Sequence, residues 1–155
     1  MPAELSHAPA HRGIVLDDRR FDILLKELKS VLCSCCDILI SDGFVDYALF
    51  SIQEADSHPM TGKAFYETGF SALQRLVHEF LNEVEVQGII CLENAEISAS
   101  VLLSQLHGSW FMRRILKIDR PTAHEISDQV EIAMNIFTSS LSARPNRFAR
   151  RPDGP

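Results

Sequence analysis

The sequence predicts an all-α domain of five helices, and three observations carry that prediction. Apolar residues recur at i, i+3, i+4 and i+7 spacings through most of the chain. Capping residues and Pro or Gly breaks punctuate these stripes at helix-length intervals. Nowhere do apolar and polar residues alternate convincingly between turn signals. Residues 84–92 come nearest to a short strand, and Gly88 interrupts them.

Each element follows in order. The first helix opens near Arg19, with Phe21, Leu24, Leu25, Leu28, Leu32, Cys35, Cys36 and Leu39 on one stripe. Asp17 and Asp18 suit the electropositive start of a helix, and Asp42-Gly43 is expected to end it. A second, shorter helix spans Phe44 to Ala55, with Val45, Leu49, Phe50 and Ile52 apolar. Ser57-His58-Pro59 breaks the chain, and proline is tolerated at a helix start because its missing N–H has no partner there anyway. The third helix runs to about Gln87 on the stripe Phe65, Tyr66, Gly69, Phe70, Leu73, Leu76, Val77, Phe80, Leu81 and Val84, with Gly88 as C-cap. Asn94 has the chemistry of an N-cap for a fourth helix reaching about Ile118. Pro121 precedes a fifth, where Thr122 and Glu125 have capping-box spacing; it continues to about Leu141.

A chain of 155 residues fits one domain and can build a core without staples. Hydrophobic residues at 46% and charged residues at 23% are close to globular averages and exclude wholesale disorder. The helical domain is expected over 18–142. Residues 1–17 read as a disordered lead-in, and 143–155 as a flexible basic tail with four arginines against one aspartate. The net charge of −6 gives nucleic acid no electrostatic attraction, so direct nucleic-acid binding by this chain is not expected. The sequence has no apolar run of membrane-spanning length and no signal-peptide core. A cytoplasmic location with reduced thiols is the expectation.

Cys33, Cys35 and Cys36 form a C-x-C-C cluster without the paired knuckles of a zinc site. Set in a helical stripe, they read as small apolar packing groups; a metal- or thiol-responsive role is the alternative. No metal and no cofactor are assigned. The sequence carries no G-x-S-x-G, Gly-rich phosphate loop or H-E-x-x-H pattern. Glu54 and His58 are four apart but straddle the proline break. No catalytic residues are assigned, and an enzyme is not expected.

The last two helices differ from the first and third. Ile97, Val101, Leu102, Leu103, Leu106, Trp110, Phe111, Ile115 and Leu116 cover most of the fourth helix's circumference, and the fifth is similarly broad. A helix apolar nearly all round is buried on more than one side. The economical solution is a homodimer whose interface is a four-helix arrangement of these two helices from each chain. Its candidate residues are Leu103, Leu106, Trp110, Ile126, Val130, Met134 and Phe137.

Residues 58–69 (HPMTGKAFYETG) pair a proline with an A-F-Y-E-x-G run, preceded by DYALFSIQEA at 46–55 and followed by Val86-Gln87-Gly88 and LLSQLHG at 102–108. In this order they resemble the C-terminal, ligand-sensing and dimerising domain of TetR-type transcriptional regulators. The resemblance implies a pocket for a small apolar ligand among the first three helices and a dimer built by the last two. Members of that family begin with a helix-turn-helix head, and the residues ahead of Asp18 carry no such pattern. The expectation is a domain without its own DNA-reading head. The alternative is a headless interaction module that pairs with a full-length regulator or another protein partner.

Pocket candidates are the aromatic and polar residues on the presumed inner faces: Phe50, Glu54, Phe65, Tyr66, Phe70, His107 and Trp110. His107, inside the most apolar helix, reads first as a hydrogen-bonded core histidine. Arg113, Arg114 and Lys117 suit a helix end, and Glu79, Glu83, Glu85, Glu93 and Glu96 suit a solvated face.

Overall fold

The computed structural model describes residues 18–142, all in helices and short connections with no strand among them. The expected lead-in and basic tail lie outside the described residues. Helix α1 spans Asp18–Ile40 and buries Leu24, Leu28, Leu32, Cys35, Cys36 and Leu39, the stripe that periodicity predicts. Burial pushes the Cys35 thiol up to about 11 and the Cys36 thiol up to about 12. Both stay protonated at neutral pH and pack as apolar groups, which is the first of the two readings above.

Asp42-Gly43 does not end α1. The chain turns one residue earlier, at Ser41, whose hydroxyl accepts from the Phe44 N–H at 3.2 Å. That cap starts α2 (Asp42–Glu54) with Asp42 in its first turn and Gly43 inside it. A serine cap supplies a new helix start more strongly than an Asp-Gly pair supplies a stop.

The third predicted segment is divided. Pro59 opens α3 (Pro59–Thr68), and α4 (Phe70–Val86) follows after a joint at Gly69. A Cβ at Gly69 would stand 2.7 Å from the Phe65 carbonyl oxygen and 3.1 Å from the Phe44 ring. The missing side chain lets Phe44 approach the bend. Gly88, at φ +70°, closes α4 with a Schellman pair: its N–H donates to the Glu85 carbonyl and the Ile89 N–H to the Val84 carbonyl. Residues 84–92 therefore finish a helix and then form a connection rather than a strand. Glu85 is only half solvated, and its carboxylate accepts from the Leu92 N–H at 2.8 Å, seating Ile89, Ile90 and Leu92 in the core.

Asn94 caps α5 (Ala95–Ile115) by accepting from the Ile97 N–H at 2.9 Å. The capping box is complete at the start of α6 (Ala123–Ser142): Glu125 N–H donates to Thr122 Oγ1, and Thr122 N–H donates back to the Glu125 carboxylate at 2.8 Å. One core joins α1, α4, α5 and α6. The Lys29–Glu131 ion pair adds a surface tie from α1 to α6.

Candidate functional site: an aromatic cluster at a broken helix

Helix α5 is interrupted at Gly108, whose φ of 49° and ψ of −170° lie in a region open essentially only to glycine. An unbroken helix would give the Gln105 carbonyl to the Ser109 N–H. Here Gln129 of α6 donates its side-chain amide to that carbonyl. The amide both satisfies the break and fixes the antiparallel register of α5 on α6.

On one side of the break α5 enters a ring cluster. His107 packs edge-on to Phe70 with centroids 4.9 Å apart, and Phe111 stands 5.7 Å from Phe70 and 6.1 Å from Trp110. Phe44 of α2 lies 5.1 Å from Phe65, 5.3 Å from Phe70 and 6.2 Å from Phe111; Tyr47 closes the row 5.1 Å from Phe65. Most of these pairs are edge-to-face, the arrangement the ring quadrupole favours. Phe65 and Trp110 are buried, whereas Phe44, Phe70, His107 and Phe111 are half-buried, so the cluster reaches the surface.

Three buried polar atoms here and in α2 have no hydrogen-bond partner: His107 Nε2, Trp110 Nε1 and Ser51 Oγ. Leaving such an atom unpaired costs about 1–3 kcal/mol, and native structures keep few of them. Burial lowers the His107 pKa and holds the imidazole neutral.

Four of the seven predicted pocket residues, Phe65, Phe70, His107 and Trp110, share this cluster. Phe50 and Tyr66 do not: they are 51% and 59% exposed on the outer faces of α2 and α3. Glu54 instead pairs with His58 across the proline break, Oε2 to Nδ1 at 2.8 Å. Phe44, Tyr47 and Phe111 join the cluster without being among the candidates. Phe44 and Tyr47 are three apart and so share a helix face, a signal available in the sequence. A half-open groove of about 360 Å³ lies elsewhere, between the start of α1 (Arg20, Ile23) and the end of α4 (Phe80, Glu83), and none of the predicted pocket residues lines it.

The predicted interface residues Leu103, Leu106, Trp110, Val130, Met134 and Phe137 are buried within the single chain, and Ile126 is half-buried. Other residues leave apolar surface outside. Ile97 and Val101, one turn apart on α5, and Ile132 and Ile136, one turn apart on α6, are all 45–62% exposed. The Gln129–Gln105 register sets Ile132 at the level of Val101, and Ile136 at the level of Ile97.

Charge pairs tie the end of α5 down. Arg114 and Arg120 both reach Asp42 at the start of α2, at 2.6 and 2.7 Å, and Arg113 reaches Glu125 at 2.6 Å and Asp119 at 3.0 Å. The basic last turn of α5 is thus spent on carboxylates. The Thr122 backbone N–H and then the Arg113 side chain hold the Glu125 carboxyl down at about 2, from 4.5. A depressed carboxyl contributes stability that is present above pH 4.5 and lost as the pH falls toward 2. Glu125→Gln is expected to be less stable than the parent at pH 7, with the gap closing between about pH 4.5 and 2. Thermal melts of the two proteins across that window check this; a gap independent of pH would contradict it.

A family model described as the C-terminal domain of AefR-like transcriptional repressors matches residues 26–140. No curated protein and no solved structure matches significantly. The matched span runs from within α1 to the end of α6, and its all-helical architecture is that of a TetR-type C-terminal domain. The chain belongs to the family of AefR-like transcriptional repressor C-terminal domains.

Proposed function

We propose that this chain is the ligand-sensing and homodimerising domain of a TetR-type transcriptional regulator. The observation that carries the reading is the two-sidedness of α5. One side brings His107, Trp110 and Phe111 into a ring cluster that reaches the surface and retains unpaired polar atoms. The other presents Ile97 and Val101 beside Ile132 and Ile136 of α6. Apolar pockets with a few unfilled polar groups are the usual form of small-molecule sites. Paired outward apolar stripes on adjacent helices are the usual material of a two-fold interface.

Both surfaces are built on α5, with Ile97 and Val101 before the Gly108 break and Trp110 and Phe111 after it, which gives ligand and second copy a shared element. Coupling between two sites requires such an element, which both can bias. The sensing half is tested by a thermal-shift screen of apolar ring compounds. A ligand present at about 100 times its dissociation constant adds about 2.7 kcal/mol to the native state, an upward shift of several degrees for a domain of this size. A screen in which no ring compound moves the midpoint would remove sensing from the reading.

A further inference from the structure

The ring cluster holds a buried hydrogen-bond donor that the chain itself does not satisfy. Trp110 is 3% exposed, and its indole N–H has no acceptor. An indole N–H only donates, so nothing but an acceptor can fill it. Two acceptor-capable side chains of the chain lie in the same region, and neither bonds to the indole: His107 Nε2 is itself unpaired, and Gln129 is already placed. Gln129 spends its N–H on the Gln105 carbonyl, and its Oε1 borders the space over Gly108 without bonding to the indole. A Cβ on Gly108 would stand 3.3 Å from that Oε1 and 3.4 Å from Trp110 Nε1. Turning the amide toward the indole would strip the Gln105 carbonyl of its donor at the break.

The surroundings narrow the acceptor further. His107 is neutral, and the cations that follow the cluster in α5, Arg113 and Arg114, are committed to Glu125, Asp119 and Asp42. Each guanidinium charge is thus already balanced by a carboxylate, although Arg114 Nε is buried without a hydrogen-bond partner. Phe70 and Phe111, both half-buried, offer ring edges and faces to a flat apolar body.

We propose that the site takes neutral, flat ring compounds bearing one carbonyl-type hydrogen-bond acceptor, and that Trp110 Nε1–H holds the acceptor. The proposal rests on the sensing reading above and goes beyond it by fixing the ligand's chemistry and its anchor.

The probes are 1-indanone and indane, which share a fused-ring body and differ in the carbonyl. Their dissociation constants are measured on the full chain and on Trp110→Phe, which keeps an aromatic ring and removes the N–H. The preference for indanone over indane is expected to fall about tenfold in the variant, as for loss of one buried hydrogen bond. Comparing the ratio between proteins cancels the different water affinities of the two compounds. An unchanged ratio overturns the proposal and leaves sensing intact. If neither compound binds the parent chain at millimolar concentration, the proposal falls, and the ring-compound screen decides the sensing reading separately.

A second readout needs no variant. Trp110 is the chain's single tryptophan. Its emission maximum is expected to move to longer wavelength with indanone and not with indane; equal responses to both overturn the assignment.

Discussion

Replacing Gly108 with alanine is expected to cost the domain about 2–4 kcal/mol of stability. Two terms add. A non-glycine residue held at φ 49°, ψ −170° carries about 1–3 kcal/mol of backbone strain. The new methyl also stands 3.2 Å from Trp110 Cδ1 and 3.3 Å from Gln129 Oε1. The glutamine can shift, but the buried indole has nowhere to go without disturbing its neighbours. If the chain escapes the strain by straightening α5, the Gln105 carbonyl recovers the Ser109 N–H and the residues after the break rotate about the helix axis. Trp110 and Phe111 then leave the ring cluster. Urea unfolding followed by Trp110 emission separates these outcomes from a null effect: the midpoint falls, or the native emission changes, or both. Gly62→Ala is the control, since a Cβ there meets nothing within 4 Å; it is expected to gain up to about 1 kcal/mol by helix propensity. Equal behaviour of the two variants would contradict the role given to the break.

Val101→Glu combined with Ile132→Glu is expected to yield a folded monomer. Both residues are about half exposed in the single chain, so the change leaves the core intact. In a two-fold dimer the pair places four carboxylates in what was apolar contact. Lost burial of about 1.5–3 kcal/mol for each fully covered side chain, with charge desolvation added, raises the dimer dissociation constant by at least about 100-fold. Light scattering reports the mass and circular dichroism the fold. A charge at Leu106 or Phe137 would test something else: both are buried inside the chain, so their replacement unfolds the domain whatever its oligomeric state. A Val101/Ile132 variant that remains a dimer would move the interface away from these stripes.

The contrast between those residues shows what the sequence could and could not convey. Burial of α1 was legible for most of its stripe, because Leu24, Leu28, Leu32 and Leu39 face one core and the 3.6-residue period has one solution; Phe21 and Leu25, on the same predicted stripe, are only half-buried. The caps at Asn94, Thr122 and Gly88 were legible because each is a local hydrogen-bond device set by a few neighbouring residues. The joints were less so. Gly69 reads as one more residue of a long stripe, and the reason for its missing side chain, the Phe44 ring from another helix, is visible only in the fold.

In α5 and α6 periodicity established that apolar residues lie on more than one side, but not which side faces the chain's own core. Leu106 and Val101 are equally apolar in the sequence; packing against α1 and α4 is what encloses the first and leaves the second outside. Four of the seven rings in the aromatic cluster were visible for the same reason. Phe65, Phe70, His107 and Trp110 meet because the bends at Gly69 and Gly108 aim them together, while Phe50 and Tyr66, as aromatic and as close in sequence, point outward.

Helix α5 is proposed to serve a ring-lined site on one side and a second copy of the chain on the other. Sedimentation equilibrium of the unmodified chain across micromolar concentrations tests it most directly. A species of twice the chain mass is expected, dissociating only on dilution well below that range. A single species of one chain mass throughout would contradict it, and would leave the outward stripes of Ile97, Val101, Ile132 and Ile136 without the partner assigned to them.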